Sequence, residues 1–410
     1  MRRTTLLAAL VVLNFMTAAM GLPLAGDGGK FSASNIAPVL FVVAAGVFFF
    51  TRRHTLDRRI VAYLLAFNLG CVASFIVFLL RYSWDPNFPV LLFQDLEIAF
   101  CLLLWWYGTE EPLRFRTAVR IGIFCSIPVL AAFAWADRSS GLPWMTFGMD
   151  DKSQAAVWMC CEAYILVRFF GGWLDRGVAV ALYIATFLTV SRMPVFFFPP
   201  ILLALMRGSR YAPITTVFGT CIAIAVLEWK GEVARDVFTV YDRLSSVDAV
   251  ADADSTTAHL ALLKLALQMK FSDPLAFLFG IGPGNFAKAL VSFPLPIESI
   301  QAADPEFVAM AREGRAPLHS TQLQVLLDYS FVVYLLFVYA VMRILRYLRQ
   351  RGNFADLAFF AGLLLASTFY SLHNKPYIYL VVASVALLIV GETEAARERD
   401  RLSPYSTLPA

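Results

Sequence analysis

The sequence predicts an all-α polytopic membrane protein of about twelve transmembrane helices with one long loop. Of its 410 residues, 59% are hydrophobic and only 16% are charged. Soluble proteins average about 45–50% apolar and about 25% charged residues. Apolar runs that approach the roughly 20 residues needed to cross a ~30 Å hydrocarbon core recur from end to end of the chain. These observations indicate membrane-spanning helices rather than a soluble core.

Twelve apolar runs are predicted to span the membrane. They are 4–22, 34–50, 60–80, 89–107, 118–136, 153–170, 177–191, 193–207, 211–228, 321–343, 354–371 and 377–391. The pair on either side of Arg192 is short and is interrupted by Pro194, so one re-entrant hairpin is an alternative there. The first run resembles a signal peptide, but no small-residue cleavage site follows it, and we expect a retained helix.

The distribution of basic residues predicts the orientation. Lys and Arg stay on the cytoplasmic side in short loops. With the N-terminus inside, most of the 34 Lys and Arg residues fall at cytoplasmic ends, including RRHTLDRR at 52–59 and RILRYLRQR at 343–351. We therefore expect both termini in the cytoplasm, and the net charge of +4 reflects topology rather than a nucleic-acid partner.

This topology divides the chain into four parts. We expect about nine spans in 1–228, a long outer loop in 229–320, about three spans in 321–391 and a cytoplasmic tail in 392–410. The six cysteines all fall inside apolar runs. Buried thiols are therefore expected, rather than disulfides or zinc ligands.

The long loop is the one segment large enough to form a small domain. It begins with a polar, acidic stretch and continues into AHLALLKLALQMKF at 258–271, where His259 and Lys270 share one helical face and Lys264 and Gln268 share nearly the opposite one. This stretch is predicted as an interfacial or protein-covered helix that is not cleanly amphipathic. A short helix is expected in DPEFVAMAREG, with Asp304 as its cap.

The GIGPG segment at 280–284 resembles a nucleotide-binding loop only superficially. The Rossmann pattern requires G-x-G-x-x-G, and the P-loop ends in Gly-Lys-Ser/Thr. Neither pattern is present. On these residues alone, the segment is a glycine turn that allows close backbone packing.

Several ionisable residues lie at predicted membrane depth, where an unpaired charge costs several kcal/mol. Arg192 lies between two apolar halves on the outer side, and its alternatives are a functional site or a side chain that reaches lipid phosphates. Asp95, Glu97 and Glu162 are expected to pair with arginines and hold helices together.

His319 precedes an apolar helix in HSTQLQVLLDYS. One alternative is a histidine that rests at the lipid–water interface. The other is a catalytic role. Thr321 and Gln324 are expected to form a capping box, which places His319 just ahead of the helix N-terminus, or in its first turn if the helix begins at Pro317. The positive end of the helix dipole then disfavours imidazolium and keeps His319 able to accept a proton.

The outer face thus gathers Arg192 and Arg243 with His259 and His319. Arginine binds phosphate through two parallel hydrogen bonds and is always charged. Histidine accepts a proton near neutral pH. Such a site suits a lipid-linked phosphate leaving group and a hydroxyl nucleophile.

Three segments resemble motifs of the O-antigen ligase and O-antigen polymerase superfamily of bacterial inner-membrane glycosyltransferases. They are TVSRMPVFFF, DPLAFLFGIGPGNF and HSTQLQVLLDYSFVVYLLF, in that order around one long loop. The resemblance covers about 177–391. It implies a GT-C-like fold, an undecaprenyl-pyrophosphate-linked glycan donor, a periplasmic active site and no metal or other cofactor.

The resemblance also implies roles for individual residues. Arg192 becomes a phosphate ligand and His319 the base or orienting residue, and these two are the catalytic candidates. Candidate substrate contacts follow from the loop and its glycine motif. They are Arg243, His259, Lys264, Gly282, Gly284 and Asn285. This chain departs from the family pattern in carrying Ser330 where glycine is usual, and His259 where a second arginine is common.

The expected function is a surface-polysaccharide polymerase, which moves a lipid-linked glycan onto another lipid-linked repeat unit. A ligase that uses lipid A-core as the acceptor is the alternative, and a secondary transporter or flippase is a third class. Expected partners are the donor, the acceptor glycan, membrane lipid and a chain-length regulator protein, but no nucleic acid. Asp252 and Asp254 have the Asp-x-Asp spacing of metal-dependent glycosyltransferases, but they lie in a polar stretch.

Overall fold

The computed structural model of the chain describes most of the predicted spans and part of the long loop. The described residues are 3–20, 33–51, 58–82, 88–141, 144–149, 151–189, 191, 193–207, 214–217, 219–220, 262–292, 318, 320–370, 372 and 376–402. They form helices and turns, and no strand occurs among them.

Fifteen helices are numbered here in chain order. They are α1 (Arg3–Thr17), α2 (Ile36–Thr51), α3 (Arg58–Tyr82), α4 (Phe88–Glu110), α5 (Pro112–Ser139), α6 (Lys152–Ile165), α7 (Trp173–Ala185), α8 (Pro194–Leu205), α9 (262–272), α10 (Pro274–Phe279), α11 (Phe286–Ser292), α12 (Thr321–Asp328), α13 (Phe331–Gln350), α14 (Phe354–Phe369) and α15 (Pro376–Leu402). A π-helical turn, Leu166–Phe170, extends α6.

The apolar helices are those of a membrane protein. Within the described ranges, three segments are long and apolar enough to cross a membrane: Pro112–Ser139, Phe331–Gln350 and Tyr377–Ala395. Shorter apolar helices occupy other predicted spans. They are Thr4–Thr17, Ile36–Thr51, Leu65–Val77, Pro194–Leu205 and Phe354–Phe369. The all-α membrane class is thus confirmed, whereas the number twelve stays a prediction.

Two predicted segments differ from the structure. The expected single span 321–343 is two helices, because α12 ends at Asp328 and α13 begins at Phe331. The expected tail from residue 392 is helical for its first part, since α15 continues to Leu402.

The described residues cluster into two compact units that interleave along the sequence. The first comprises Met1–His54, Asp95–Ser191 and Lys375–Ala410. Its central helix is α6, in which every residue from Gln154 to Ile165 is buried. The fully buried Trp158 has its ring centroid 5.6 Å from Phe15 and 5.6 Å from Tyr377.

Two ion pairs also stabilise the first unit. Arg120 binds Asp175 through two hydrogen bonds of 2.8 and 3.2 Å. The buried Arg168 lies 2.9 Å from the carboxylate of Glu392.

The second unit comprises Thr55–Gln94 and Arg192–Asn374. It contains α8 packed on α14, and a small apolar core formed by α9, α10 and α11 with Leu318, which precedes α12, and Leu327, near the end of α12. We call the segment 262–292 the loop subdomain. It lies inside the long loop predicted from the sequence, and it shares its core with Leu318 and Leu327.

The free thiols agree with the sequence prediction. Cys71, Cys160 and Cys161 are buried, and Cys101 and Cys125 are partly buried. None of these five cysteines forms a disulfide, and Cys221 lies outside the described residues.

Candidate functional site

Four of the predicted site residues lie outside the described residues: Arg192, Arg243, His259 and His319. Their predicted roles stay predictions. The structure does describe the helices that follow Arg192 and His319, and it describes both neighbours of His319. Leu318 and Ser320 are buried, at 1% and 4% exposure.

The helix that follows His319 begins one residue earlier than predicted. Ser320 is the cap, and its side chain accepts a hydrogen bond of 3.3 Å from the Leu323 amide. The prediction of Thr321 as cap is therefore wrong. The Thr321 hydroxyl instead donates to the Tyr370 carbonyl and accepts from the Leu372 amide at 2.7 Å. These bonds fix the first turn of α12 to the segment that follows α14.

The helices after Arg192 and His319 meet the same part of α14. Phe196, in the first turn of α8, stacks on Phe369 with ring centroids 5.8 Å apart. Gln322, in the first turn of α12, donates to the Leu364 carbonyl and to the Thr368 hydroxyl at 2.8 Å. The second unit thus brings the first turns of both helices to the C-terminal half of α14.

A close helix crossing fixes α8 in this position. A Cβ added at Gly362 would overlap the carbonyl oxygen of Phe196. Phe197 is fully buried, and its ring lies 6.0 Å from that of Phe359. Glycine at 362 therefore allows α8 and α14 to approach at backbone distance.

Helix α9 of the loop subdomain is covered by protein on one face, which is one of the two predicted alternatives, and a lysine on that face keeps it from being cleanly amphipathic, as predicted. The apolar residues of α9 recur at helical spacing on one buried face: Leu262, Leu265, Ala266 and Met269. Lys270 lies on this buried face, at 0% exposure, whereas Lys264 is exposed. The predicted substrate contact Lys264 thus faces away from the core that α9 shares with α12.

The glycine motif packs directly on the end of α12. Gly280, Gly282 and Gly284 all have positive φ, of 79°, 83° and 75°. A Cβ at Gly280 would lie 2.6 Å from the carbonyl carbon of Tyr329. Glycine is required here because the backbone is left-handed and because the two chain segments touch.

Backbone hydrogen bonds join the same two segments. The Ile281 amide donates to the Leu327 carbonyl, and the Gly282 amide donates to the Asp328 carbonyl, both at 3.0 Å. These bonds join two motifs that are far apart in the sequence. This pairing is the main structural relationship in the candidate site.

The amides of the glycine motif are engaged within the protein. The Gly280 amide donates to the Ala276 carbonyl, and the Asn285 amide donates to the Gly282 carbonyl. The Gly282 amide donates to the Asp328 carbonyl, and proline at 283 has no amide hydrogen. A phosphate bound by these amides would have to displace existing bonds. The motif therefore serves as a docking turn in this structure, the interpretation favoured by its residues alone.

A buried polar cluster lies beneath this turn. Lys270, Asn285 and Asp328 are each fully buried, at 0% exposure. The Lys270 ammonium donates to the Tyr329 carbonyl at 2.7 Å. The Asn285 amide nitrogen donates to the Ile281 carbonyl at 3.1 Å, and its Oδ1 has no partner among the described residues.

Burial shifts the proton affinity of both charged members of the cluster. It raises the pKa of Asp328 to about 8, against the opposing effects of the Gln324 side chain, the Gly284 amide and Lys270. It lowers the pKa of Lys270 to about 8, against the charge of Asp328. The Asp328 carboxyl oxygens lack well-aligned hydrogen bonds within the described chain, so little opposes the effect of burial on the pKa of Asp328.

Ser330 explains the break between α12 and α13. In a continuous helix the Val333 amide would donate to the Tyr329 carbonyl. Here the Ser330 hydroxyl accepts from the Val333 amide at 3.2 Å, and Lys270 takes the Tyr329 carbonyl. Ser330 is the N-cap of α13, a position that favours serine strongly and glycine to a lesser degree.

The acidic residues of the first unit do not all pair as predicted. Glu162 accepts a hydrogen bond of 2.6 Å from Ser126 instead of binding an arginine. Glu97 is buried and is hydrogen-bonded by the Tyr379 hydroxyl. Asp95 is exposed. Among the described residues, the expected arginine partner of Glu162 is not found.

Sequence reasoning missed Lys270 and Asp328 as members of the site. A signal for Lys270 was present, because it follows Leu262, Ala266 and Met269 at helical spacing, on the apolar face of α9. Among the described residues, no group of three or more His, Cys, Asp or Glu side chains could hold a metal ion. Asp252 and Asp254 lie outside the part of the chain that the structure describes.

No protein-family model matches the chain, and no curated protein matches it either.

Proposed function

We propose that the protein is a membrane glycosyltransferase that polymerises a bacterial surface polysaccharide. Its donor is a glycan on undecaprenyl pyrophosphate, and its acceptor is a sugar hydroxyl of another lipid-linked repeat unit. The proposal rests on the resemblance of three sequence motifs to the O-antigen ligase and polymerase superfamily.

One structural observation supports this proposal most directly. The glycine motif and the helix that follows His319 are joined by the bonds from Ile281 to Leu327 and from Gly282 to Asp328. The first turns of α8 and α12 also contact the same half of α14. Motifs that serve one site are expected to converge in the fold, and these contacts support such convergence.

The chemistry of the proposed reaction assigns a role to each candidate. The acceptor hydroxyl attacks the anomeric carbon of the donor, the bond to the diphosphate oxygen breaks, and the hydroxyl proton passes to His319. Arg192 binds the diphosphate through two parallel hydrogen bonds and stabilises its charge as it leaves. The resemblance implies that this transfer needs no metal ion.

The proposed setting is the bacterial inner membrane. Twelve spans, cytoplasmic termini and a periplasmic site are parts of this proposal, and they rest on the distribution of Lys and Arg. Donor glycans on undecaprenyl pyrophosphate would then enter the site from the outer leaflet.

A ligase that transfers the finished glycan to lipid A-core uses the same donor chemistry. A clean gene deletion, with glycans resolved on a gel, separates the two functions. A polymerase deletion leaves core capped by a single repeat, and the proposal predicts this pattern. Full-length polymer that stays on undecaprenyl pyrophosphate would indicate the ligase, and unchanged glycans would contradict both.

A further inference from the structure

Helix α13 presents most of its apolar surface outside the protein. It is long and apolar enough to cross a membrane, and only 11% of its apolar stretch is buried. An exposed apolar strip runs along one face of the helix. It consists of Val332, Leu335, Tyr339 and Met342, which are exposed by 65%, 50%, 51% and 60%. Side chains three or four positions apart are neighbours on a helix, so the strip is continuous and suited to contact with acyl chains.

Four exposed arginines follow at the C-terminal end of α13. They are Arg343, Arg346, Arg349 and Arg351. Arg343 follows Tyr339 by four residues and Arg346 follows it by seven, so both continue the face of the apolar strip. The strip therefore leads directly into a pair of guanidinium groups.

The neighbouring sequence does not neutralise these charges. No acidic residue occurs between Asp328 and Asp356, and Asp356 is itself buried at 2% exposure. Within the described part of the chain, no carboxylate forms an ion pair with Arg343, Arg346 or Arg349. Like charges on neighbouring positions of a helix repel one another. This end of α13 therefore presents positive charge that favours an anionic partner.

Two tyrosines lie beside arginines at this end of the helix. The guanidinium of Arg343 lies 5.9 Å from the ring centroid of Tyr339 and donates to its hydroxyl at 3.4 Å. Arg351 contacts Tyr347 in the same way, at 5.6 and 3.4 Å. Tyrosine is enriched where a membrane meets water, which favours a position of these side chains at the level of the lipid headgroups.

We propose that the C-terminal end of α13 binds an anionic phospholipid, with the lipid phosphate on Arg343 and Arg346 and an acyl chain along the apolar strip. Arginine suits this ligand because its planar guanidinium binds phosphate through two parallel hydrogen bonds. Basic residues at the end of a membrane helix attract acidic lipids by the same electrostatics. A zwitterionic lipid binds less tightly, because its ammonium group is repelled by the arginines.

A second copy of this chain is a poorer occupant of the same face. Copies in one membrane share their orientation, so a symmetric contact through this face would bring the arginines of both copies to the same depth. Their repulsion would oppose the contact. The proposed lipid site is also separate from the proposed glycan transfer, since it involves none of the residues assigned to that reaction.

The test is native mass spectrometry of the purified full-length protein in detergent, titrated with phosphatidylglycerol or with phosphatidylcholine of the same acyl chains. The wild type should bind phosphatidylglycerol at least about tenfold more tightly. The double variant Arg343→Gln, Arg346→Gln should bind it roughly 25-fold more weakly, at about fivefold for each basic residue at an anionic headgroup. Its binding of phosphatidylcholine should not change.

Two further variants define the cause of the effect. Arg138→Gln is the matched control, because Arg138 is exposed and is the one basic residue in the last turn of α5, another helix long enough to cross a membrane. It should bind phosphatidylglycerol as the wild type does. The double variant Arg343→Lys, Arg346→Lys keeps the charge but loses the paired hydrogen bonds, so its affinity should be intermediate.

Equal binding of the two lipids by the wild type would overturn the proposal, as would wild-type affinity in the double glutamine variant. An equal loss of affinity in Arg138→Gln would show a general effect of surface charge and would overturn it too. A change from oligomer to monomer in the double glutamine variant, with no preference for phosphatidylglycerol, would assign the face to a second copy. If the double variant does not fold, Arg346→Gln alone should lose roughly fivefold in affinity, and wild-type affinity in that variant would contradict the proposal.

Discussion

The ammonium nitrogen of Lys270 lies 2.7 Å from the carbonyl oxygen of Tyr329, at the break between α12 and α13. This bond replaces the helical acceptor bond that Tyr329 would otherwise receive from Val333, whose amide is capped by Ser330. A helix of eight residues is thereby separated from a helix long enough to span a membrane. The break therefore follows from three groups: the Lys270 ammonium, the Tyr329 carbonyl and the Ser330 hydroxyl.

We expect Gly280→Ala to destabilise the protein far more than Gly352→Ala. Both glycines have positive φ, at 79° and 67°, so alanine at either position is strained, and the strain is greater at Gly280 because its ψ of 177° lies in a region that is adopted almost only by glycine. A Cβ at Gly352 meets open space, whereas one at Gly280 overlaps the end of α12. Thermal unfolding in detergent measures the difference. Equal losses for the two variants would show that the glycine motif does not need its close approach to α12.

The N-cap at Ser330 predicts an order of stabilities. Ser330→Ala removes the acceptor for the Val333 amide and should cost about 1 kcal/mol, whereas Ser330→Gly should cost only a few tenths. Ser139→Ala is the control, because that exposed hydroxyl bonds only to its own helix. The denaturation midpoint should be highest for the wild type, lower for Ser330→Gly and lowest for Ser330→Ala. A glycine variant weaker than the alanine variant would contradict the capping role.

The raised pKa of Asp328 predicts how stability depends on pH. The folded state keeps a proton that the unfolded chain releases above its ordinary value of 3.8, so the free energy of unfolding should fall as pH rises towards about 8. The slope is at most about 1.4 kcal/mol per pH unit for one proton. Lys270, with its pKa lowered to about 8, holds its proton in both states over most of this window.

Asp328→Asn isolates this contribution, since asparagine cannot ionise. Thermal midpoints of the wild type and this variant should be compared between pH 5 and 7.5. The wild type should lose stability relative to the variant as pH rises. Parallel curves would mean that Asp328 ionises in the folded protein as it does in the unfolded chain.

The proposed arginine-based site predicts independence from divalent metal. Purified protein supplied with a lipid-linked glycan should form product at an undiminished rate in EDTA. The physical reason is that a guanidinium supplies the positive charge at the diphosphate that a metal ion supplies in other glycosyltransferases. Complete loss of product in EDTA, restored by manganese, would refute this arrangement of charges.

The sequence predicted the helical membrane class because hydropathy is a local property. The boundaries of α3, α4 and α14 lie within a few residues of the predicted spans. The extended α6 also matches its predicted span at 153–170. The break after Asp328 could not be predicted in the same way, because a lysine some sixty positions earlier in the chain stabilises it.

In the candidate site too, the sequence predicted what depends on local residues and missed what depends on contacts between distant residues. The prediction of Thr321 as the cap was wrong because the Thr321 hydroxyl bonds to residues 370 and 372, which are distant in the sequence, and leaves Ser320 to cap the helix. The bond between Lys270 and the end of α12 depends on a loop subdomain that packs against the helix that follows it in the chain. Such long-range pairs have no local sequence signature, whereas the spacing of Lys270 on the apolar face of α9 could have indicated its burial.

The central claim is that Arg192 and His319 perform the transfer, and glycan product from a deletion strain complemented by variants tests it most directly. His319→Ala should lower product by roughly 10²–10⁴-fold, because it removes the proton acceptor. Glycan product from Arg192→Lys should also fall sharply, since lysine cannot bind a diphosphate through two parallel hydrogen bonds. Immunoblots of membrane fractions should show wild-type levels of both variants. Wild-type product from well-expressed His319→Ala would contradict the account.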